Sequence, residues 1–270
     1  MALTSTRTIA SKTVGMTLDD LRQKFKPSVE VPAIKGVKIG IFGLDGQGKT
    51  HMCITPNGDI YAFDIEGEIK LISDKFPEEK RNQLFILDII EQMKLCGAEN
   101  IKPVLEYVET ESKNLVEVAK NNPDYKATIV IDSDTDLYIK YNNWLEQQTD
   151  ISRTKIGKPQ RLEYQRISRP QQEMFDNLKL TGWNVVVTAR ARPSYDNSGQ
   201  ADLNNMIPYW YPALNGWLDI WGEIKIVAGK QKFIFRKCRY SHSLIGDVID
   251  DPTIPKIIDY VVSKTNIKIE

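Results

Sequence analysis

Residues 37–50 constrain the fold of this chain more than any other part of the sequence. The segment begins as a short apolar run at 37–42 and continues directly into GLDGQGKT at 43–50. This G-x-x-x-x-G-K-[ST] spacing is typical of a phosphate-binding loop between a strand and a helix, because its glycines let backbone N–H groups face a phosphate. The pattern therefore predicts a strand–loop–helix unit that binds a nucleoside triphosphate.

The residue types in this loop predict how the phosphates and a metal ion are held. Lys49 is expected to bridge the β- and γ-phosphates, and the Thr50 hydroxyl is expected to hold Mg²⁺. The helix that begins near Gly48 directs its positive end toward the same anion. We therefore predict ATP and Mg²⁺ as ligands. The predicted nucleotide contacts are Gly43, Asp45, Gly46, Gln47, Gly48, Lys49, Thr50 and His51.

The composition gives no direct indication of a polymer partner or a membrane. The 270-residue chain is long enough for a sizeable core, and its 36 Lys and Arg residues balance 36 Asp and Glu residues. No apolar run approaches about 18 residues, and the N-terminus lacks the apolar core of a signal peptide. The three cysteines have no metal-ligand spacing, and their odd number argues against a disulfide framework. We expect a cytoplasmic protein without a membrane partner.

Beyond the loop, strand-like apolar runs alternate with helical patterns. We predict strands at 60–66, 104–108, 127–132, 184–188, 223–227 and 232–238, whereas 83–90 fits either a strand or a helix. Helices are predicted at 17–25, 110–118, 170–181, 213–218 and 253–262, and from the strand at 127–132 through Trp144. Continuous apolar strands separated by helices indicate a parallel sheet covered on both faces.

The predicted fold class is therefore α/β, with a mainly parallel central sheet flanked by helices and a C-terminal β-hairpin. No Gly/Ser/Pro-rich linker divides the chain. We predict an N-terminal extension with a short helix at 1–33 and a single nucleotide-binding domain at 34–270.

Acidic residues at two strand ends supply the other candidate groups. Asp132 ends a strand of buried type, where a carboxylate can reach the Mg²⁺ of the loop. Ser133 follows it, so the glutamate that many ATPases carry at that position is missing. Asp64 and Glu66 share one side of their strand, and Glu66 lies at the end where ligands of open α/β sheets bind. We favour Glu66 as the group that orients the attacking water, with Asp134 as the alternative.

In this order the motifs resemble the ATPase core of the RecA-type recombinases. The sequence is most similar to the compact RecA-like AAA-domain ATPases of phages and archaeal viruses, some of which are linked to single-strand annealing. Those proteins share the very short helix after the phosphate loop, seen here between Thr50 and Pro56. The resemblance runs from about Val37 to Arg239. It implies a RecA-like P-loop fold, with Glu66 as the catalytic glutamate and Asp132 as the metal-site aspartate.

The resemblance also implies roles for three cationic residues. Arg190 falls where recombinases carry a glutamine that senses the γ-phosphate. An arginine there can contact the phosphate directly, whereas glutamine-type signalling to a DNA loop is not carried over. Lys237 and Arg239 resemble the Lys-x-Arg pair that ring and filament ATPases insert into a neighbour's nucleotide site. An exposed basic strand edge explains the pair equally well, since alternation places both side chains on one face.

Two segments are candidates for contact with single-stranded DNA. Residues 151–169 carry six cations against one acid, together with Tyr164, which suits a phosphate backbone and base stacking. A solvated connector would show the same composition. The second segment, 190–211, contains Tyr209-Trp210-Tyr211, for which packing onto the core or onto a neighbouring subunit is a simpler explanation than base stacking. The resemblance implies that loops at these two places line a DNA channel.

These observations predict a Mg²⁺-dependent ATPase that forms a homo-oligomer, as a ring or a filament. The predicted role is on single-stranded DNA in recombination, annealing or replication, in the host cytoplasm if the source is viral. The alternatives are a nucleotide-gated assembly or regulatory protein without DNA binding, a small-molecule or nucleotide kinase, and a helicase or packaging motor.

Overall fold

A computed structural model describes residues 35–96, 101–148, 161–196, 198–265 and 267–269. The side chains of 145–148 and 161–168 lie outside this description. The predicted N-terminal extension and its helix also lie outside the described residues. The boundary between 33 and 34 therefore stays a prediction.

The described residues form one nine-stranded sheet. Its strands are β1 (Lys38–Gly43), β2 (Ile60–Asp64), β3 (Leu84–Asp88), β4 (Thr128–Asp132), β5 (Asn184–Tyr195), β6 (Ala201–Tyr209), β7 (Ile220–Val227), β8 (Lys230–Cys238) and β9 (Val248–Asp250). They lie in the order β3-β2-β4-β5-β1-β7-β8-β9, with β6 beside β5. Neighbours from β3 across to β7 are parallel, whereas the pairs made by β6, β8 and β9 are antiparallel.

Helices cover both faces of this sheet. The α-helices are α1 (Lys49–Cys53), α2 (Glu68–Ser73), α3 (Glu78–Asn82), α4 (Ile89–Cys96), α5 (Ile101–Asn121), α6 (Asp134–Gln148), α7 (Arg161–Leu180), α8 (Leu214–Trp217) and α9 (Ile254–Thr265). The predicted fold class is confirmed as a mainly parallel, helix-flanked α/β sheet with a C-terminal antiparallel hairpin.

The apolar runs in the sequence follow from this two-sided covering. Successive side chains of a strand point to opposite faces, so a strand covered on both sides must be apolar throughout. In β5, Val185 and Val187 join the core shared with α5, α6 and α7, whereas Val186 joins the core shared with α1, α2 and α9. All three valines are fully buried. Core packing on both faces of the sheet therefore fixes the strand ends that carry the site residues.

Two predicted elements are wrong, and one ambiguity is resolved. The predicted strand at 104–108 is part of α5, where Val104, Leu105 and Val108 are buried at helical spacing on one face. Most of the segment 190–211, predicted to be a loop, is an antiparallel arm, because β5 continues to Tyr195 and pairs with β6. The segment 83–90 contains a strand, β3, followed by the start of α4.

Helix α7 begins earlier than the sequence predicts. Pro170 favours the first turn of a helix because it lacks a backbone N–H, and the expected start therefore falls there. In the structure Pro170 lies inside α7, which starts at Arg161. Part of the predicted connector at 151–169 is consequently helical, and residues 151–160 lie outside the described ranges.

Candidate active site

The phosphate loop joins the carboxyl end of β1 to α1. Gly46 and Gly48 have φ values of +75° and +84°, a left-handed backbone that disfavours residues with a Cβ. Gly48 is the N-cap of α1, and no side chain caps that helix end. The two glycines thus serve the backbone geometry that the motif predicts.

The hairpin of β7 and β8 contacts the phosphate loop from the side. The Gln231 Nε2 atom donates to the Gln47 carbonyl oxygen at 2.7 Å, and the Ile226 N–H donates to Gln47 Oε1 at 2.5 Å. A Cβ atom on Gly48 would lie 2.2 Å from Gln231 Nε2. The loop conformation therefore depends on a hairpin almost 180 residues further along the chain.

Lys49 and His51, both predicted to contact the nucleotide, lie in different surroundings. The Lys49 ammonium donates to the Leu44 carbonyl at 3.1 Å and lies 3.7 Å from Asp45 Oδ1, so it stays within the loop. The exposed His51 ring lies 6.0 Å from the ring of Phe76, centroid to centroid.

The two predicted metal ligands lie close together. The Thr50 hydroxyl donates to Glu68 Oε2 at 3.2 Å and lies close enough to Asp132 to lower the pKa of that carboxyl group. Burial raises the pKa of Asp132 to about 7, although hydrogen bonds from Thr188 and Thr50 act in the opposite direction. The carboxylate is 3% exposed and accepts a bond from the Thr188 hydroxyl.

These oxygen donors fit Mg²⁺, which prefers carboxylate and hydroxyl ligands and completes its shell with water and phosphate oxygens. Within the described ranges, no three His, Cys, Asp or Glu side chains form a group that could hold a metal ion alone. A bound cation would therefore depend on the nucleotide as well as on Thr50 and Asp132.

Asp64 lies beside Asp132 at the ends of neighbouring parallel strands. Its Oδ2 accepts the backbone N–H of Lys70 at 3.0 Å, which fixes the first turn of α2. Its Oδ1 is buried without a hydrogen-bond partner among the described residues. Burial raises the pKa of Asp64. Asp64 therefore positions the segment that carries Glu66 and Glu68.

Glu66, the predicted catalytic glutamate, belongs to a closed ring of polar contacts. The Ser133 hydroxyl contacts Glu66 Oε1 and lies 3.0 Å from Asp136 Oδ2. The Arg190 Nη2 atom lies 3.0 Å from both Glu66 Oε2 and Asp136 Oδ2. The ring stands next to the phosphate loop, because Arg190 Nε is also 3.9 Å from Asp45 Oδ1.

The two carboxyl groups of this ring have different pKa shifts. Burial alone would raise the pKa of Glu66, but hydrogen bonds from Asp136, Ser133 and Arg190 outweigh it and hold that pKa below its usual range. Burial and the neighbouring Glu66 raise the pKa of Asp136 to about 6. Glu66 is thus the carboxylate that stays ionised, as an acceptor for a water proton requires.

Asp134, the alternative to Glu66, is fully buried away from this ring. It accepts the backbone N–H of Tyr211 at 2.7 Å and the Gln171 amide at 2.9 Å. These contacts tie α6 to α7 and to the residues that follow β6. Its place favours Glu66 over Asp134 as the group that orients water.

Lys237 and Arg239 lie on one side of the chain, as strand alternation predicts. Lys237 Nζ donates to the carbonyls of Asn215 and Leu218 at 2.6 and 2.7 Å. Arg239 donates to Asp219 Oδ1 at 2.8 Å and to the Gly216 carbonyl at 2.5 Å. Both cations therefore contact α8 and the two residues that join it to β7, and Arg239 is 47% exposed.

The segment 190–211 supports the packing interpretation of its aromatic residues. Trp210 and Tyr211 are buried in the core, and the Arg192 guanidinium lies 4.8 Å from the centroid of the half-buried Tyr209 ring. Tyr195 is 65% exposed on the arm of β5 and β6. In the other predicted DNA segment, Arg169 pairs with Glu173 at 2.9 Å on the surface of α7.

Several residues of the site were not predicted from the sequence. They are Glu68, Ser133, Asp136, Thr188 and Gln231, which all contact predicted site residues. Ser133 and Thr188 lie in the short strand-end motifs around Asp132 and Arg190, and the other three belong to no recognisable motif. The available signal was position, since all but Gln231 lie within four residues of a predicted site residue in the sequence.

A phosphate loop after β1, with acids at the ends of β2 and β4 of a mainly parallel sheet, is the arrangement of a P-loop nucleotide-binding domain. The chain belongs to the AAA domain family, whose model matches residues 35–241. A relationship between this chain and the ATPases of phages and archaeal viruses stays a prediction.

Among solved structures, the RadB recombinase is 11% identical and matches with a TM-score of 0.46 over 82% of this chain and 89% of that chain. A KaiC-like protein from the hyperthermophilic archaeon Pyrococcus horikoshii is 15% identical, with a TM-score of 0.42 over 81% of this chain and 90% of that chain. A comparison with curated proteins found no match. None of the described helices is long and apolar enough to cross a membrane.

Proposed function

We propose that this chain is a Mg²⁺-dependent ATPase that assembles with itself and acts on single-stranded DNA. The observation that carries the ATPase proposal is the convergence of Thr50, Asp132 and Glu66 beside the phosphate loop. Strands β2 and β4 are paired in register at Asp64 and Asp132, so their acidic ends meet at the edge that the loop also occupies. A hydrolase needs this combination of phosphate, metal and water-orienting groups.

Each group has one role in this proposal. Lys49 and the backbone N–H groups of the loop hold the phosphates, and Glu66 orients the attacking water. Thr50 and Asp132 hold Mg²⁺, which neutralises charge that develops on the phosphates. Arg190 bears on the same reaction, because its guanidinium lies 3.0 Å from Glu66 and within 3.9 Å of Asp45 in the loop. If the guanidinium moved from Glu66 to the γ-phosphate, the Glu66 carboxylate would be free to accept a hydrogen bond from the attacking water.

Lys237 and Arg239 support self-assembly as part of the proposal. Both lie where β7 begins, and the phosphate loop follows the opposite, carboxyl end of the parallel neighbour β1. A strand of six residues spans about 20 Å, so these cations do not reach the loop of their own chain. Reaching a phosphate requires the loop of a second copy.

The ATPase proposal is tested by comparing the wild type with Lys49→Ala and Glu66→Gln. We expect Lys49→Ala to lose nucleotide binding, because it removes the charge that bridges the phosphates. Glu66→Gln should keep ATP binding but lower turnover about 100-fold or more, since it removes an acid–base group. Glu117→Gln, an exposed acid on α5 paired with Lys120, is the matched control and should keep full turnover. Unchanged turnover in Glu66→Gln would refute the assignment of Glu66.

Self-assembly is tested by mixing two inactive variants. Glu66→Gln supplies an intact Arg239, and Arg239→Ala supplies an intact Glu66. If Arg239 serves a neighbour's site, the mixture recovers a fraction of wild-type turnover that neither variant shows alone. A mixture as inactive as its parts, while both variants still oligomerise, would contradict a role across the interface.

The DNA partner is tested by binding and by stimulation. A fluorescent single-stranded oligonucleotide should bind with an affinity that falls as salt rises, because phosphate contacts release counterions. The same oligonucleotide should raise ATP turnover. Turnover and nucleotide-dependent assembly without any DNA binding at low salt would instead favour a nucleotide-gated assembly protein.

A further inference from the structure

We propose that Glu68 is a further acidic group of the magnesium site, acting together with Thr50 and Asp132. The inference rests on the proposed function, because it assigns an additional residue to the same site. Glu68 lies at the start of α2, two residues after the predicted catalytic glutamate. Its carboxylate accepts the Thr50 hydroxyl at 3.2 Å.

The first argument for a bound cation is that the Thr50 hydroxyl has too few protons for the carboxyl groups around it. A threonine hydroxyl has one proton to donate. Glu68 Oε2 lies 3.2 Å from this oxygen, and the Asp132 carboxyl group is close enough for the hydroxyl to lower its pKa. When both carboxyl groups are ionised, only one of them can accept that proton, and the other faces the lone pairs of the hydroxyl. A cation bound at the hydroxyl oxygen would turn that repulsion into attraction for both carboxylates.

The second argument is the orientation of the Thr50 hydroxyl. When the proton points toward Glu68, the oxygen lone pairs are left for a metal ion. Partners that fix a metal ligand in this way typically contribute about 10- to 100-fold to metal affinity. Glu68 thus has two expected effects at the site, one through its charge and one through the direction of a single hydrogen bond.

The third argument is that the chain places Glu68 firmly. The buried Asp64 accepts the Lys70 N–H at 3.0 Å and so anchors the first turn of α2, from which Glu68 projects. The other oxygen of Asp64, Oδ1, is buried and has no hydrogen-bond partner in the described part of the chain. An unpaired carboxylate oxygen beside Asp132 adds negative potential where a divalent cation would bind.

The test separates the charge of Glu68 from its hydrogen bond. Binding of a fluorescent ADP analogue is measured in EDTA and then across a Mg²⁺ titration, for the wild type and Glu68→Gln. Glutamine still accepts the Thr50 proton but carries no charge. We expect the Mg²⁺ concentration at half-effect to rise about tenfold in Glu68→Gln, because the charge of Glu68 no longer attracts the cation. Metal-free binding of the analogue should be unchanged or tighter, because a negative charge near the phosphates has been removed.

Asp74→Asn is the matched control, because it removes an exposed acid at the other end of the same helix. It should leave the Mg²⁺ half-effect at the wild-type value. A direct readout comes from Mn²⁺ paramagnetic resonance with the analogue bound, in which Glu68→Gln should release more free Mn²⁺ than the control. Thermal unfolding of both variants checks that α2 is intact.

The possible outcomes distinguish the inference from the proposed function. A wild type that binds no nucleotide, with or without metal, would refute the proposed function itself. A wild type whose binding is tightened by Mg²⁺, together with an unchanged half-effect in Glu68→Gln, would overturn only the role of Glu68. An equal shift in Glu68→Gln and Asp74→Asn would also overturn it, because general surface charge would then explain the effect.

Discussion

The buried carboxyl group of Asp134 should make the stability of the nucleotide-free protein depend on pH. Asp134 is 0% exposed and accepts bonds from the Tyr211 N–H and the Gln171 amide. No lysine or arginine forms an ion pair with it among the described side chains. Burial raises its pKa from the ordinary value of 3.8 to about 7. The perturbation that tests this reasoning is Asp134→Asn, which keeps the shape and removes the charge.

The sign follows from which state binds the proton. Between about pH 4 and pH 7 the folded protein keeps the Asp134 proton that the unfolded chain has already lost, so stability falls as pH rises through this window. From the two pKa values, the raised pKa of Asp134 lowers the free energy of unfolding by about 3 kcal/mol at pH 6 and about 4 kcal/mol at pH 8, relative to low pH. The difference of about 1.4 kcal/mol is the quantity to measure.

Urea unfolding at pH 6 and pH 8, without nucleotide or Mg²⁺, provides the assay. We expect the free energy of unfolding of Asp134→Asn, relative to that of the wild type, to rise by about 1.4 kcal/mol from pH 6 to pH 8. Asp132 has a pKa raised to about 7 and titrates over the same range, but it contributes equally to both proteins and cancels from the comparison. The asparagine can be accommodated, because the Gln171 amide can turn its oxygen toward the new amide group.

The result that would refute this reasoning is a pH dependence that is the same in both proteins. It would mean that Asp134 is ionised in the folded state at pH 6, stabilised by its two donors despite its burial. A variant that is equally destabilised at both pH values would give the same refutation, since it would show a lost hydrogen bond and no relief of charge.

Two further predictions concern the phosphate loop and the core. Gly48→Ala forces a left-handed backbone on a residue with a Cβ and brings that atom within 2.2 Å of Gln231 Nε2. The cost of about 1–2 kcal/mol should weaken ADP binding roughly tenfold by calorimetry, and adding Gln231→Ala should restore part of it. Phe175→Ala should lower the free energy of unfolding by about 3–5 kcal/mol in urea titrations, because the fully buried ring stacks on Tyr211 and packs against Trp217.

The sequence was sufficient where local chemistry alone decides the structure. The loop at 43–50 has its own signature, because phosphate binding requires glycine at fixed backbone positions. The strands at 127–132 and 184–188 were recognisable because sheet residues covered on both faces must all be apolar. The placing of Asp132 and Glu66 then followed from a general property of parallel sheets, whose carboxyl ends share one edge.

Prediction failed where tertiary contacts override local preference. The run at 104–108 is rich in strand-forming residues, yet the buried positions 104, 105 and 108 fit a helix face against the sheet. The arm of β5 and β6 is exposed along most of β6, so no alternation of apolar and polar residues marks it. The contacts of Glu66 with Arg190, 124 positions away, depend on strand order, which no local pattern contains.

Strand β8 connects the two parts of the proposed mechanism within one chain. Near its start, Gln231 contacts the phosphate loop through the Gln47 carbonyl, and near its end lie Lys237 and Arg239. Nine residues of strand span about 30 Å, so Gln231 and the two cations lie at opposite ends of the sheet along the strand direction. A strand held at both ends cannot bring its cations to its own loop. If Lys237 and Arg239 act on phosphate, the same strand that supports one nucleotide site must complete the site of a neighbouring copy.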